Sequence, residues 1–331
     1  MTASTETATV TERRLPQRVP DFFIVGQAKS GTTALYTMLK SHPQIYMCEP
    51  KEPRFLASDL RDRFEIPATA NLPATLEEYL ALFAPATPEQ RAGEASPSYL
   101  TSRTAAAAIA ELQPQARIIA ILREPASFLH SLHLQYVQAH VETERDLRKA
   151  LALEPARREG KHVPRRSHRP DVLLYSEHVR YAEQLRRYHD VFPREQVLVL
   201  IYDDFRAENE ATVRKVLRFL QVDEEAPVLA KKANPTVRVR AQPLHRLVHA
   251  VASGQGPIPR TVQVSAKRLA SGGMSRSAAV AIRDRIFFAQ PRPPDEGLML
   301  ELRRRFKPEV VALSEYLDRD LVSLWGYDRT D

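Results

Sequence analysis

The chain has 331 residues, with 48 Lys and Arg against 41 Asp and Glu, a formal net charge of +7. Its 43% hydrophobic and 27% charged content is that of a soluble globular protein with a buildable core, which excludes a fibrous or wholly disordered chain. The single cysteine, Cys48, excludes an internal disulfide and reads as a small packed side chain, and no run approaches the ~18 apolar residues that span a bilayer.

Residues 1–20 are rich in Thr, Glu and Arg without periodicity or an apolar leader core, and are expected to be a disordered arm. Residues 21–331 are expected to form one domain. An apolar strand, Phe22 to Gly26, runs into a loop with two glycines and several hydroxyls, and a helix follows from Thr32 to Lys40, ending before His42-Pro43. Ile45 to Met47 reads as a second strand. Thr75 and Glu78 have capping-box spacing and start a helix through Phe83, and a further helix is expected from Thr101 to Leu112. Arg117 to Leu122 is a continuous apolar strand, and Pro125 suits the first turn of the helix after it. Residues 155–170 hold Arg157, Arg158, Lys161, Arg165, Arg166 and Arg169 with no apolar face, and read as a solvated basic loop or a mobile lid. Leu173 to Val191 is expected to be an amphipathic helix, Val197 to Ile201 a buried strand and Glu208 to Leu220 a helix. In residues 222–331 the pattern thins, with glycines at 254, 256, 272 and 273, a helical stretch from Leu298 to Leu317, and Trp325 packing back onto the body. The alternation of strand and helix implies a mostly parallel sheet covered on both faces.

The stretch from Phe22 to Leu35 has the form of a phosphate cradle. A buried strand delivers the chain to a helix N-terminus, where backbone N–H groups and the positive end of the helix dipole can hold an anion. The Gly26 to Gly31 spacing mimics a P-loop, but that motif needs Lys directly after the second glycine, where Thr32 stands. The lysine is Lys29, which points to a different nucleotide. Basic excess suits anionic ligands generally, yet there is no zinc-finger spacing or aromatic stacking platform, so no nucleic-acid partner is expected. The histidines lack metal-ligand spacing, and no metal is expected.

This loop resembles that of the sulfotransferase family, in particular its heparan-sulfate-type branch and soluble bacterial members. Further segments agree in order: Glu49-Pro50-Lys51-Glu52-Pro53-Arg54-Phe55, Gly93-Glu94-Ala95-Ser96-Pro97-Ser98-Tyr99, Arg123 with Ser131 eight positions on, and Tyr202-Asp203-Asp204 after a late strand. The resemblance implies a P-loop-like α/β fold and a co-substrate, 3′-phosphoadenosine 5′-phosphosulfate (PAPS), released as adenosine 3′,5′-bisphosphate. It further implies a carbohydrate, lipid or natural-product acceptor, donor binding by Lys29, Ser30, Gly31, Thr32 and Thr33, and 3′-phosphate binding by Arg123 and Ser131. Glu52 would be the general base and Lys29 would stabilise the leaving phosphate. Since Golgi relatives carry an N-terminal membrane anchor, a cytoplasmic enzyme is expected.

Each residue has a plainer reading. Glu52 could be a surface carboxylate paired with Lys51 or Arg54, Arg123 a strand-end cation paired with Glu124 or Asp146, and His42 a helix-end residue. Glu49 and then Glu94 are the rival bases. Ala95 stands where some heparan-type members have lysine; by the same resemblance residues 222–331 would cover the nucleotide and part of the acceptor, but the Lys-Gly-Arg cluster of some members is absent, leaving Lys267, Arg268 and Arg276 as loose candidates. A kinase or NTPase, and a non-catalytic sensor of adenosine 3′,5′-bisphosphate, are the alternatives; the sensor would need no Glu52.

Overall fold

The structure is a computed structural model that describes residues 18–61, 72–164, 167, 170–227, 238–239, 288–289 and 294–330. In chain order its elements are β1 (Phe22–Gly26), α1 (Thr32–Lys40), β2 (Ile45–Met47), α2 (Ser58–Arg61), α3 (Leu76–Ala81), β3 (Arg91–Ala95), a 3-10 turn (Pro97–Leu100), α4 (Ala105–Leu112), β4 (Arg117–Leu122) and α5 (Pro125–Gln138). There follow α6 (Leu147–Ala152), α7 (Glu154–Arg158), two 3-10 turns (Pro170–Leu173 and Tyr175–Val179), α8 (Tyr181–His189), β5 (Val197–Ile201), α9 (Tyr202–Ala207) and α10 (Asn209–Leu220). The two-residue strands β6 (Arg238–Val239) and β7 (Phe288–Ala289) pair antiparallel, and α11 (Glu296–Leu317) and α12 (Leu321–Leu324) come last.

Strands β1 to β5 form one parallel sheet in the order β2-β3-β1-β4-β5, with β1 at its centre. Side chains of a strand alternate between faces, and both faces of this sheet are apolar. Phe23, Val25, Ile118, Ala120 and Leu122 enter a core with residues of α3, α4, α5, α8 and α11. Phe22, Ile24, Ile119 and Ile121 enter a second core with residues of α1 and α10. The expected α/β architecture is therefore present. In open sheets of this kind ligands sit beyond the carboxyl ends of the strands, where the winding changes direction; here that place is the end of β1.

Most elements fall where the sequence puts them. The capping box is complete, with Thr75 Oγ1 accepting from the Glu78 N–H and Glu78 accepting from the Thr75 N–H. Three expectations need correction. Arg18, within the expected arm, reaches back to Asp21 and the Gln90 carbonyl, both at 2.7 Å, so the ordered body begins earlier than residue 21. Leu173 to Val191 is two 3-10 turns and the helix α8, because the first half of the segment wraps around buried polar groups: Ser176 donates to Glu154, and Tyr175 donates to Glu142. The basic stretch is not wholly solvated either. Arg157 lies in α7, 1% exposed, and donates to Glu142 at 2.9 Å and to the Ala150 and Leu173 carbonyls. A buried guanidinium needs such partners, and together they pin this stretch to the body. Lys267, Arg268, Arg276 and the glycines from 254 to 273 lie outside the described residues.

The carboxyl-terminal segment closes over the strand ends. Arg319 forms a two-pronged pair with Asp204 at 2.6 and 2.8 Å, and the Trp325 indole N–H donates to Asp203 at 3.0 Å. This is the packing expected of Trp325.

Candidate active site

All five strand ends meet one cleft of about 1470 Å³. The loop after β1 contributes Lys29, Gly31, Thr32 and Thr33; Glu52 comes from beyond β2, Ser98 from beyond β3, Arg123 from the end of β4 and Tyr202 from the end of β5. The sheet thus fixes residues distant in sequence around one space.

The loop is shaped for close approach. Gly31 has φ +88°, a conformation that favours glycine, and a Cβ there would crowd the Phe205 ring at 3.0 Å. Lys29 also has a positive φ, 61°, an uncommon conformation for a residue with a side chain. Gln27 braces the turn: its side-chain oxygen accepts from the Ala28 N–H at 2.8 Å, and its amide nitrogen donates to the His178 carbonyl at 3.0 Å. Thr32 and Thr33 open α1, where first-turn N–H groups have no carbonyl one turn earlier to bond. Ser30 is fully buried, its hydroxyl donating to the Ala28 carbonyl at 3.3 Å, and its side chain does not line the cleft.

Arg123 donates to the Lys29 carbonyl at 2.9 Å, and its guanidinium lies 5.0 Å from the centre of the Tyr202 ring. It is thus tied to the loop rather than to Glu124 or Asp146; Glu124 caps α5 and also accepts from the Tyr327 hydroxyl at 2.8 Å. Burial, and then the neighbouring positive charge of Arg123, hold the Lys29 ammonium below the usual lysine range. Two cations side by side in a partly buried loop lose solvation and repel each other, and an anion between them would relieve both effects. Ser131 lies within α5 at 2% exposure and is not part of the cleft lining.

Glu52 faces the cleft and accepts from Lys51 at 2.7 Å and from Arg54. The plain ion-pair reading is realised, and the paired carboxylate lines the cleft. Burial raises the Glu52 carboxyl, but the charges and hydrogen bonds of Lys51 and Arg54 outweigh it and leave the group below the usual carboxylate range. Of the rivals, Glu49 is exposed and pairs with Lys40, while Glu94 is completely buried; neither lines the cleft. His42 is held at the end of α1, its Nε2 against the Asp223 carbonyl at 2.8 Å and its Nδ1 accepting from the Gln44 N–H.

Sequence reasoning did not single out Gln27, nor the far wall, where Arg103, Arg180 and Arg187 line the cleft beside Arg158 of the basic stretch; Arg54, expected only as a partner of Glu52, lines it as well. On that wall Arg158 pairs with Glu177 at 3.1 Å, and both Arg180 and Arg187 pair with Glu183. Arg103, Arg180 and Arg187 carry no local motif, and only the tertiary fold assembles them. Among the described residues no group of His, Cys, Asp and Glu could hold a metal, and no helix is long and apolar enough to cross a membrane.

A glycine-bounded loop at a helix N-terminus, the cations Lys29 and Arg123 and the carboxylate of Glu52 share one cleft at the carboxyl end of a parallel sheet. The profile of the Sulfotransferase family matches residues 20–226, well over half of the chain, and the chain belongs to that family. The carbohydrate sulfotransferase 15 of Mus musculus is 27% identical over 258 positions, covering 62% of this chain and 44% of that protein. The human bifunctional heparan sulfate N-deacetylase/N-sulfotransferase 3 is 31% identical over 126 positions, covering 37% of this chain and 14% of its own length. The chain thus spans less than half the length of the curated relatives it matches. Among solved structures, a sulfotransferase from Alicyclobacillus acidocaldarius superposes with a TM-score of 0.66 at 26% identity, covering 93% of this chain and 99% of the other.

Proposed function

We propose that the chain moves the sulfuryl group of PAPS to a hydroxyl, less readily an amine, of a carbohydrate acceptor, by in-line transfer. The observation that carries this reading is that Lys29, Glu52 and Arg123, which hang from three different strands, line one cleft around a glycine-dependent phosphate loop. Loop amides and the hydroxyls of Thr32 and Thr33 would hold the 5′-phosphate, with Ser30 shaping the turn beneath them. Arg123 is assigned the 3′-phosphate together with Ser131, which the donor would have to uncover on α5. Glu52 takes the acceptor proton as the new O–S bond forms. Lys29 offsets the charge that builds on the phosphate oxygen as the old S–O bond breaks, and adenosine 3′,5′-bisphosphate leaves. Charge stabilisation of this kind, by preorganised groups in a sheltered site, supplies most of the rate enhancement in many transfers. The names of the two curated relatives support a carbohydrate acceptor, and the alignment to the carbohydrate sulfotransferase covers the greater part of this chain.

Calorimetric titration with adenosine 3′,5′-bisphosphate against ATP with magnesium tests the donor. The 3′-phosphorylated nucleotide should bind and ATP should not; tight binding of ATP alone would overturn the reading. Turnover of PAPS with desulfated heparan sulfate and neutral oligosaccharides then tests the acceptor class. In the active pairing Glu52→Gln should lose about 10²–10⁴-fold in rate with donor affinity unchanged. An unchanged rate would remove Glu52 from the mechanism.

A further inference from the structure

We propose that Glu94 is the positioning residue of this site: through Tyr79, Ser96 and Tyr99 its carboxylate fixes the turn that carries Glu52 and Arg54. The inference rests on the reading of Glu52 as the group facing the acceptor. Glu94 sits at the end of β3, 0% exposed, beneath the cleft rather than in it. Three hydroxyls converge on it, those of Ser96 at 2.6 Å, of Tyr79 and of Tyr99. Each of these side chains also holds the turn above. Ser96 Oγ accepts from the Arg54 N–H at 3.1 Å, the Tyr99 hydroxyl accepts from the Leu56 N–H at 3.0 Å, and the Tyr79 ring stacks on Phe55 at 4.8 Å between centres and 13° between planes. The turn needs such support. Glu52 and Arg54 both have positive φ, 64° and 55°, in the left-handed region that side chains disfavour, and such strain persists only where surrounding contacts over-determine it.

The direction of these hydrogen bonds depends on the charge of Glu94. As a carboxylate it accepts from all three hydroxyls, leaving the oxygens of Ser96 and Tyr99 to accept from the turn. As a neutral acid it carries a proton of its own, so one hydroxyl must turn its hydrogen away to receive it, and the bonds that hold the frame's oxygens in place lose the strength that a charged acceptor gives them. Burial pushes the Glu94 carboxyl up to about 7, against the lowering effect of the hydrogen bonds from Ser96, Tyr79 and Tyr99. The other titratable groups facing it are Tyr79 from α3, Tyr99 from the turn after β3, Cys48 from beyond β2 and Tyr188 from α8; burial pushes each of them upward and keeps it neutral. The frame is therefore complete in alkali and loosened in mild acid.

Hydrogen exchange at the Arg54 and Leu56 amides, read with no substrate present, tests the frame. In the wild-type protein their protection, corrected for intrinsic exchange, should fall from about pH 8 to about pH 6 by up to ~10-fold, the ceiling set by one group titrating at about 7, and in Glu94→Gln it should be low and flat. Ser96→Ala, which cuts only the link to Arg54, should free the Arg54 amide and spare that of Leu56. In PAPS turnover with the active oligosaccharide, Glu94→Gln should lower kcat by about 10–100-fold while the KM for PAPS and the affinity for adenosine 3′,5′-bisphosphate stay put. If both amides are as protected in Glu94→Gln as in the wild type, Glu94 does not position the turn. If exchange responds as expected but no pairing of PAPS and acceptor turns over, the frame stands and the sulfotransferase reading is what fails.

Discussion

Replacing Glu94 by Gln should make the protein's stability less dependent on pH, by an amount that follows from the structure. Burial places the Glu94 carboxyl at about 7 in the folded chain, against a usual glutamate value of 4.5. Between these values the folded chain keeps a proton that the unfolded chain has released. The stabilisation is therefore fully present below the lower value and is lost as pH rises through the higher one. From about pH 5 to about pH 8 the loss from this one group comes to roughly 2.5 kcal/mol, since each tenfold change in proton affinity between the two states is worth about 1.36 kcal/mol. Gln cannot titrate, so Glu94→Gln should be the weaker protein relative to wild type at the acid end and should gain on it by that amount at the alkaline end. Urea unfolding of both proteins at the two pH values gives the comparison; all other titrating groups cancel in the difference, as does the constant cost of the altered hydrogen bonds. A stability difference that is the same at both pH values, within about 0.5 kcal/mol, would show that Glu94 titrates as an ordinary carboxyl in spite of its burial, and would refute the reasoning.

Lys29→Ala should lower PAPS turnover by roughly 10²-fold or more while retaining nucleotide binding, since the loop amides remain; near-normal turnover would remove Lys29 from the mechanism. Because Lys29 acts as a cation and burial lowers it from 10.5, the alkaline limb of the wild-type rate profile should come earlier than for a free lysine, and the profile of the residual Lys29→Ala activity should lack that limb. Arg123→Ala should weaken adenosine 3′,5′-bisphosphate by about 10-fold or more and a nucleotide without the 3′-phosphate much less, as calorimetry would read; equal losses would make Arg123 structural. Gly93→Ala should destabilise the fold by at least ~1–3 kcal/mol in urea unfolding, because its Cβ would meet the Phe22 ring across the β1–β3 pairing at 2.1 Å.

What was legible in the sequence is what is encoded locally. The phosphate loop is contiguous, so strand, glycine and helix start can be read together, and α1 runs from Thr32 to Lys40 as expected. Strands β4 and β5 are continuous apolar runs because both their faces are covered, and their bounds were readable for that reason. The basic stretch misled because charge says nothing of partners distant in sequence: Arg157 reads as solvated until Glu142 is brought against it by the fold. Leu173 to Val191 misled because its amphipathic pattern is real over α8, while the preceding turns answer to Glu142 and Glu154, which no local periodicity reveals. In the site, Glu52 could be singled out by resemblance, but its relation to Glu94 depends on β2 and β3 lying side by side.

The two ends of the cleft, which the proposed mechanism assigns to the donor's phosphates and to the acceptor, are built in different ways. Arg123 is held from behind by rigid elements. The Tyr181 hydroxyl of α8 donates to its carbonyl at 3.0 Å, the loop receives its guanidinium, and the next residue, Glu124, is bound by Tyr327 near the chain's end. A ligand gripped there meets groups already in place, which limits the entropy lost on binding. Glu52 instead stands on a turn with two residues in the left-handed region, kept there by hydroxyls whose hydrogen bonds depend on one buried carboxylate. Donor binding should therefore be nearly indifferent to pH around neutrality, while the group that takes the acceptor's proton should not be. Titrations of adenosine 3′,5′-bisphosphate at about pH 6 and about pH 8 should give affinities within ~3-fold, with kcat rising by up to ~10-fold over the same interval. A change of affinity as large as the change of kcat would place the titrating group at the phosphate end and break this division of roles.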